Sequence, residues 1–126
     1  MANVVVVDDS EYMVNVLKQF LQSIGHQVVG FGLDGNEGYN LYRKHSPDLM
    51  ILDLTMPNRH GRECLFDVLD WDPDAKVLIV STVKNEMTIL ECLERGAKGF
   101  VEKPLKFSSP AFCDEFKTTI ENALNG

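Results

Sequence analysis

Leu49-Met50-Ile51-Leu52 sets four apolar side chains in a row and then meets Asp53. A short apolar run with no polar alternation belongs to a strand covered on both faces. Val4-Val5-Val6-Val7 and Val77-Leu78-Ile79-Val80 have the same form. Strands buried on both sides need a layer on each side of the sheet. That requirement excludes most all-β and all-α arrangements before any other residue is considered.

The intervening stretches supply the layers. Met13, Val16, Leu17, Phe20, Leu21 and Ile24 recur at helical spacing after Glu11, and Gly25 closes that helix. His26 to Phe31 reads as a weaker second strand. Asp34 and Glu37 open a second helix with a pattern close to a capping box, and it stops before Pro47. Pro57 cannot donate to a ladder, so the strand that runs into Asp53 has ended by then. A third helix carries Cys64, Leu65, Val68 and Leu69, and Asp72-Pro73-Asp74 is a turn. A fourth carries Ile89, Leu90 and Leu93 and ends at Gly96. Gly99 to Glu102 is a short fifth strand. Ser109-Pro110 is an N-cap followed by an N1 proline, and Phe112, Phe116, Ile120 and Leu124 stripe the last helix. Five strands alternating with five helices imply an α/β fold, a doubly wound parallel sheet with right-handed crossovers.

Composition narrows the function. The chain has 126 residues, the size of one domain, with 12 basic and 19 acidic residues for a net charge of −7. An acidic chain lacks the clustered cations that nucleic acid or an anionic membrane surface requires. Cys64, Cys92 and Cys113 are odd in number and widely spaced, which fits neither a disulfide framework nor a zinc site. They read as small core hydrophobes in a reducing compartment. No apolar run has membrane-spanning length, and the first residues lack the pattern of a signal peptide. The expectation is a cytoplasmic protein.

In a parallel sheet, ligands bind beyond the carboxyl ends of the strands. The first strand ends at Asp8-Asp9, the third at Asp53, the fourth at Ser81 and the fifth at Lys103. Taken singly, each has a plain structural reading: Asp8 and Asp9 as helix caps, Asp53 as a turn opener, Ser81 as a turn hydroxyl, Lys103 as an edge-strand guard. All of these ends lie on one edge, so the groups converge. Three carboxylates brought together repel unless a cation joins them, and hard oxygen donors suit Mg2+. A hydroxyl and an ammonium beside them suit a phosphoryl group, and a carboxylate that accepts one is an established nucleophile.

With these residues in place, the sequence resembles the receiver domains of bacterial two-component response regulators. The motifs are Asp8-Asp9 after a valine strand, Asp53-Leu54-Thr55-Met56-Pro57 with Gly61, Gly96-Ala97-Lys98-Gly99-Phe100, and Lys103-Pro104. They cover the chain from Val4 to about Leu124. The resemblance implies a flavodoxin-like (βα)5 fold with strand order 2-1-3-4-5, as a single receiver domain over residues 1–126. It implies that Asp53 accepts a phosphoryl group from a sensor histidine kinase or histidine phosphotransfer protein. Asp9, Asp53 and the Thr55 carbonyl would bind Mg2+, with Asp8 helping directly or through water. Lys103 would pair with one phosphoryl oxygen, and Ser81 would hydrogen-bond another. The Thr82 N–H would donate to the same group. Phe100 stands at the switch aromatic, and the Lys103-Pro104 bond is often cis in the family. Phosphorylation would alter the surface of the fourth helix, fifth strand and fifth helix for an output partner. Because the chain stops after the fifth helix, it is similar to the stand-alone, chemotaxis-type members.

Some positions depart from the family pattern. Ser81 stands where threonine is usual, Thr82 replaces a smaller residue, and Arg59 takes a position usually apolar. Either Ser81 or Thr82 offers a switch hydroxyl. His60 reads as a solvated loop histidine. The stretch Leu105 to Ser109 is slightly long, which leaves the approach of the last helix open. Three other readings stand beside the switch. One is a phosphorylation-independent interaction module, and another is the receiver part of a longer regulator. The third, a small-molecule phosphatase or phosphotransferase, lacks a second Asp two residues after Asp53, where Thr55 stands.

Overall fold

A computed structural model of the chain describes residues 1–56 and 61–126. Pro57, Asn58, Arg59 and His60, including the departure at Arg59 and the loop histidine, lie outside the described residues. Five strands alternate with five helices: β1 (Asn3–Val7), α1 (Glu11–Ser23), β2 (Gln27–Gly32), α2 (Gly35–His45), β3 (Leu49–Leu52), α3 (Gly61–Trp71), β4 (Val77–Ser81), α4 (Glu86–Arg95), β5 (Gly99–Glu102) and α5 (Pro110–Asn125). All strand pairs are parallel, in the order β2-β1-β3-β4-β5. The expected fold and strand order are therefore observed.

The apolar runs divide by alternation between two cores. Val5, Val7, Met50, Leu52, Val77 and Ile79 face Tyr42 of α2, Leu65 and Val68 of α3, and Cys92 of α4. Val4, Val6, Leu49, Ile51, Leu78 and Val80 face Leu17 and Leu21 of α1 and Phe116 and Ile120 of α5. Each of these strand residues is 1% exposed or less. Burial on that scale contributes about 1.5–3 kcal/mol per large side chain, which drives the layering.

Helix ends match their sequence signals. The side chains of Asp34 and Ser109 accept hydrogen bonds from the N–H groups of Glu37 and Phe112. Gly25 and Gly96 take φ values of 91° and 131°, where a side chain would be strained. The expected second strand is displaced by one residue, to Gln27–Gly32, because the His26 N–H donates to the Leu21 carbonyl at the end of α1 and the ladder begins with the Gln27 N–H. The long stretch before α5 is drawn in by Phe107. Its ring lies 5.1 Å from Phe20 and 6.0 Å from Phe116, and its carbonyl accepts from Cys113 Sγ. That contact fixes how α5 approaches the sheet.

Candidate functional site

The site is assembled by backbone before side chains matter. The Asp53 N–H donates to the Val7 carbonyl at 2.9 Å, and the Asp8 N–H donates to Gly32 at 3.0 Å. The Lys103 N–H donates to the Ser81 carbonyl at 3.0 Å. Each link continues a parallel ladder one step past its strand, so β1, β3, β4 and β5 deliver their last polar residues to one rim. Lys103-Pro104 is a cis peptide bond.

At the rim, Lys103 Nζ lies 2.6 Å from Asp8 Oδ2 and 3.4 Å from Asp53 Oδ2. Asp8 and Asp53 are buried, at 2% and 4% exposed, while Asp9 is exposed. Two buried carboxylates are tolerable only with compensation, and each has it twice. Asp8 Oδ1 accepts from the Ser10 N–H at 3.0 Å, and Asp53 Oδ1 accepts from the Thr55 N–H at 3.1 Å. The remaining oxygens share the ammonium. Burial works against the charge on Lys103, but the hydrogen bond to Asp8 and the charges of Asp53 and Asp8 outweigh it and raise its pKa. Lys103 is a fixed cation at neutral pH.

Asp8, Asp9 and Asp53 each bring a carboxylate oxygen within 4.8 Å of the others. Three hard oxygen donors in that space, beside a single ammonium, fit a small divalent cation that keeps part of its water shell. The structure thus brings together Asp8, Asp9 and Asp53, three of the residues expected to converge at this rim. Ser81 is fully buried at the end of β4, and its Oγ accepts from the Val83 N–H at 3.3 Å, whereas Thr82 is exposed. Of the two adjacent hydroxyl residues, Ser81 is the one turned inward. Phe100 is half-buried and packs with Val83 against the α3–α4 side of the core.

Gly61 carries a role that its motif position did not explain. Its N–H donates to the Leu54 carbonyl at 3.2 Å. A Cβ on Gly61 would overlap the Asp53 carbonyl oxygen and lie 2.7 Å from Leu54 Cα. The first turn of α3 therefore rests directly on the backbone that presents Asp53, and only glycine fits there.

The family model for the response regulator receiver domain matches residues 4–109. The chemotaxis protein CheY of Treponema pallidum is 38% identical over 104 residues, which is 81% of this chain and 72% of that protein. Among solved structures, the CheX–CheY–BeF3–Mg2+ complex of Borrelia burgdorferi superposes with a TM-score of 0.86 at 32% identity, covering 94% of this chain and 85% of that one. The response regulator domain of Thermotoga maritima CheB gives a TM-score of 0.86 at 35% identity, covering 98% and 96%.

Proposed function

The chain belongs to the family of response regulator receiver domains, and on that footing we propose that it is switched by phosphorylation of Asp53. The observation that carries this reading is the placement of Lys103 Nζ against both Asp8 and Asp53 beside a third carboxylate. One oxygen of Asp53 attacks the phosphorus of a phosphohistidine on a kinase or phosphotransfer protein. The P–N bond breaks, the imidazole leaves with the electron pair, and a proton from solvent completes it. The Thr55 N–H fixes the rotation of the Asp53 carboxylate, and Lys103 sits beside the oxygen where negative charge gathers.

Asp8, Asp9, Asp53 and the Thr55 carbonyl would hold a Mg2+ ion, which supplies positive charge against the phosphoryl oxygens. Ser81 gives up its bond to Val83 and donates to the phosphoryl group, and the Thr82 N–H donates beside it. Phe100 moves inward as Ser81 shifts. The affected surface is that of α4, β5 and α5, where Met87 and Leu90 are 74% and 49% exposed. An output protein reads that surface, and the domain itself slowly hydrolyses the acyl phosphate. This reading places the protein in the cytoplasm; among the described residues, no helix is long and apolar enough to cross a membrane.

The test is incubation with Mg2+ and a small acyl phosphate, read by intact mass. The wild type gains one phosphoryl group, and Asp53→Asn gains none. Equal labelling of that variant would overturn the assignment.

A further inference from the structure

His26 lies at the opposite end of the sheet from the acidic rim, between the start of β1 and the C-terminal half of α5. Its side chain is 8% exposed, and both ring nitrogens are engaged. The Ala2 N–H lies 3.0 Å from Nδ1, and Glu121 Oε1 lies 2.8 Å from Nε2. These partners assign the ring's proton. A backbone N–H can only donate, so Nδ1 is bare; the neutral ring carries its proton on Nε2, facing the carboxylate. Ala2 is held on its other side as well, since its carbonyl accepts from the Gln27 N–H at 2.9 Å.

A second proton on this ring has one place to go. It must enter Nδ1, where it meets the Ala2 N–H donor to donor, and that bond is lost. The same proton makes the ring cationic and strengthens its contact with Glu121. We propose that His26 is a proton-operated joint between β1 and α5: the neutral ring ties Ala2 to Glu121, and the doubly protonated ring keeps Glu121 and releases Ala2.

Among the described residues, Glu121 is the ring's one charged hydrogen-bond partner. From α5, Glu121 contacts the ring directly. The other charged groups bordering the same open cavity of about 480 Å3 are Asp48, Asp72, Asp74, Lys76 and the amino terminus, with Tyr42 among them. Asp48 accepts from the Asn3 N–H, Asp72 accepts from the Tyr42 hydroxyl, and Lys76 donates to the Leu124 carbonyl. Acidification therefore acts on the start of the sheet while α5 keeps its hold on the ring. The joint is independent of Asp53 chemistry.

The experiment is nuclear magnetic resonance on the full chain from pH 8 to pH 5. Ring spectra at pH 8 show the proton on Nε2 alone. Between pH 8 and pH 5, protection of the Gln27 amide against hydrogen exchange falls by about tenfold, while β4 amides such as Ile79 keep theirs. His26→Gln offers one acceptor and a donor at the same positions and cannot gain charge, so its Gln27 protection stays within about twofold across the range. A ring protonated on Nδ1 at pH 8 overturns the proposal, and this readout needs no variant. So does a fall that His26→Gln shares, a fall that β4 shares, or no fall at all.

Discussion

Lys103 sets the character of the acidic rim more than any single carboxylate does. Asp8 and Asp53 are both nearly excluded from water, and one ammonium serves the two of them. Removing it leaves two buried anions beside Asp9. Lys103→Met is expected to lower stability by about 3 kcal/mol in metal-free urea unfolding. Part of that loss returns on adding Mg2+, because a divalent ion answers the same repulsion; a loss unchanged by Mg2+ would argue against a shared cation site. Asp53→Asn removes one of the repelling charges and is expected to be at least as stable as the wild type while accepting no phosphoryl group, which separates chemistry from folding. At this scale the sequence was informative about identity and less so about direction. Asp8, Asp53 and Lys103 stood out by position, but the choice between Ser81 and Thr82 turned on where β4 ends. Ser81 is buried and Thr82 is exposed, which supports the proposed role of Ser81.

The contacts between elements were the hardest to foresee. The helices themselves followed from spacing and caps, and Ser109 is an N-cap as expected. Ser109→Ala is expected to cost about 1 kcal/mol in thermal or chemical unfolding, from the orphaned Phe112 N–H. How α3 seats on the third strand was not legible, because no local pattern records which backbone a helix start will touch. Gly61→Ala is expected to displace the backbone of Asp53 and Leu54, lower stability by about 2 kcal/mol and slow phosphoryl acceptance. A variant with wild-type labelling rate would show that the approach of α3 does not position Asp53. The aromatic group of Phe20, Phe107, Phe112 and Phe116 was half-visible: the stripe on α5 was read as core, and Phe107 joined it from the preceding loop.

For the molecule as a whole, two buried protons predict an alkaline limit. The Tyr42 hydroxyl is pushed well above its ordinary value of 10.0 by burial and by its hydrogen bond to Asp72, and Lys103 is raised above 10.5. Both groups hold their protons more tightly folded than unfolded. Their contribution is therefore complete below those ordinary values and is lost as pH climbs through the folded ones. Urea midpoints are expected to stay level from neutral pH to about pH 9 and to fall above pH 10, with a shallower fall in Tyr42→Phe. A midpoint that rose above pH 10 would contradict the assignment. Apolar runs without alternation, helical spacing between them and glycines at helix ends by themselves determined the α/β layering, since each is a local consequence of burial and backbone freedom. The convergence of strand-end acids on one rim also followed, because parallel strands share an edge. Only the tertiary structure decided that Lys103 serves Asp8 more closely than Asp53, that Gly61 rests on the Asp53 carbonyl, and that His26 bridges Ala2 and Glu121. Those are distances between residues remote in the chain, and they depend on how finished elements pack rather than on any pattern within one of them.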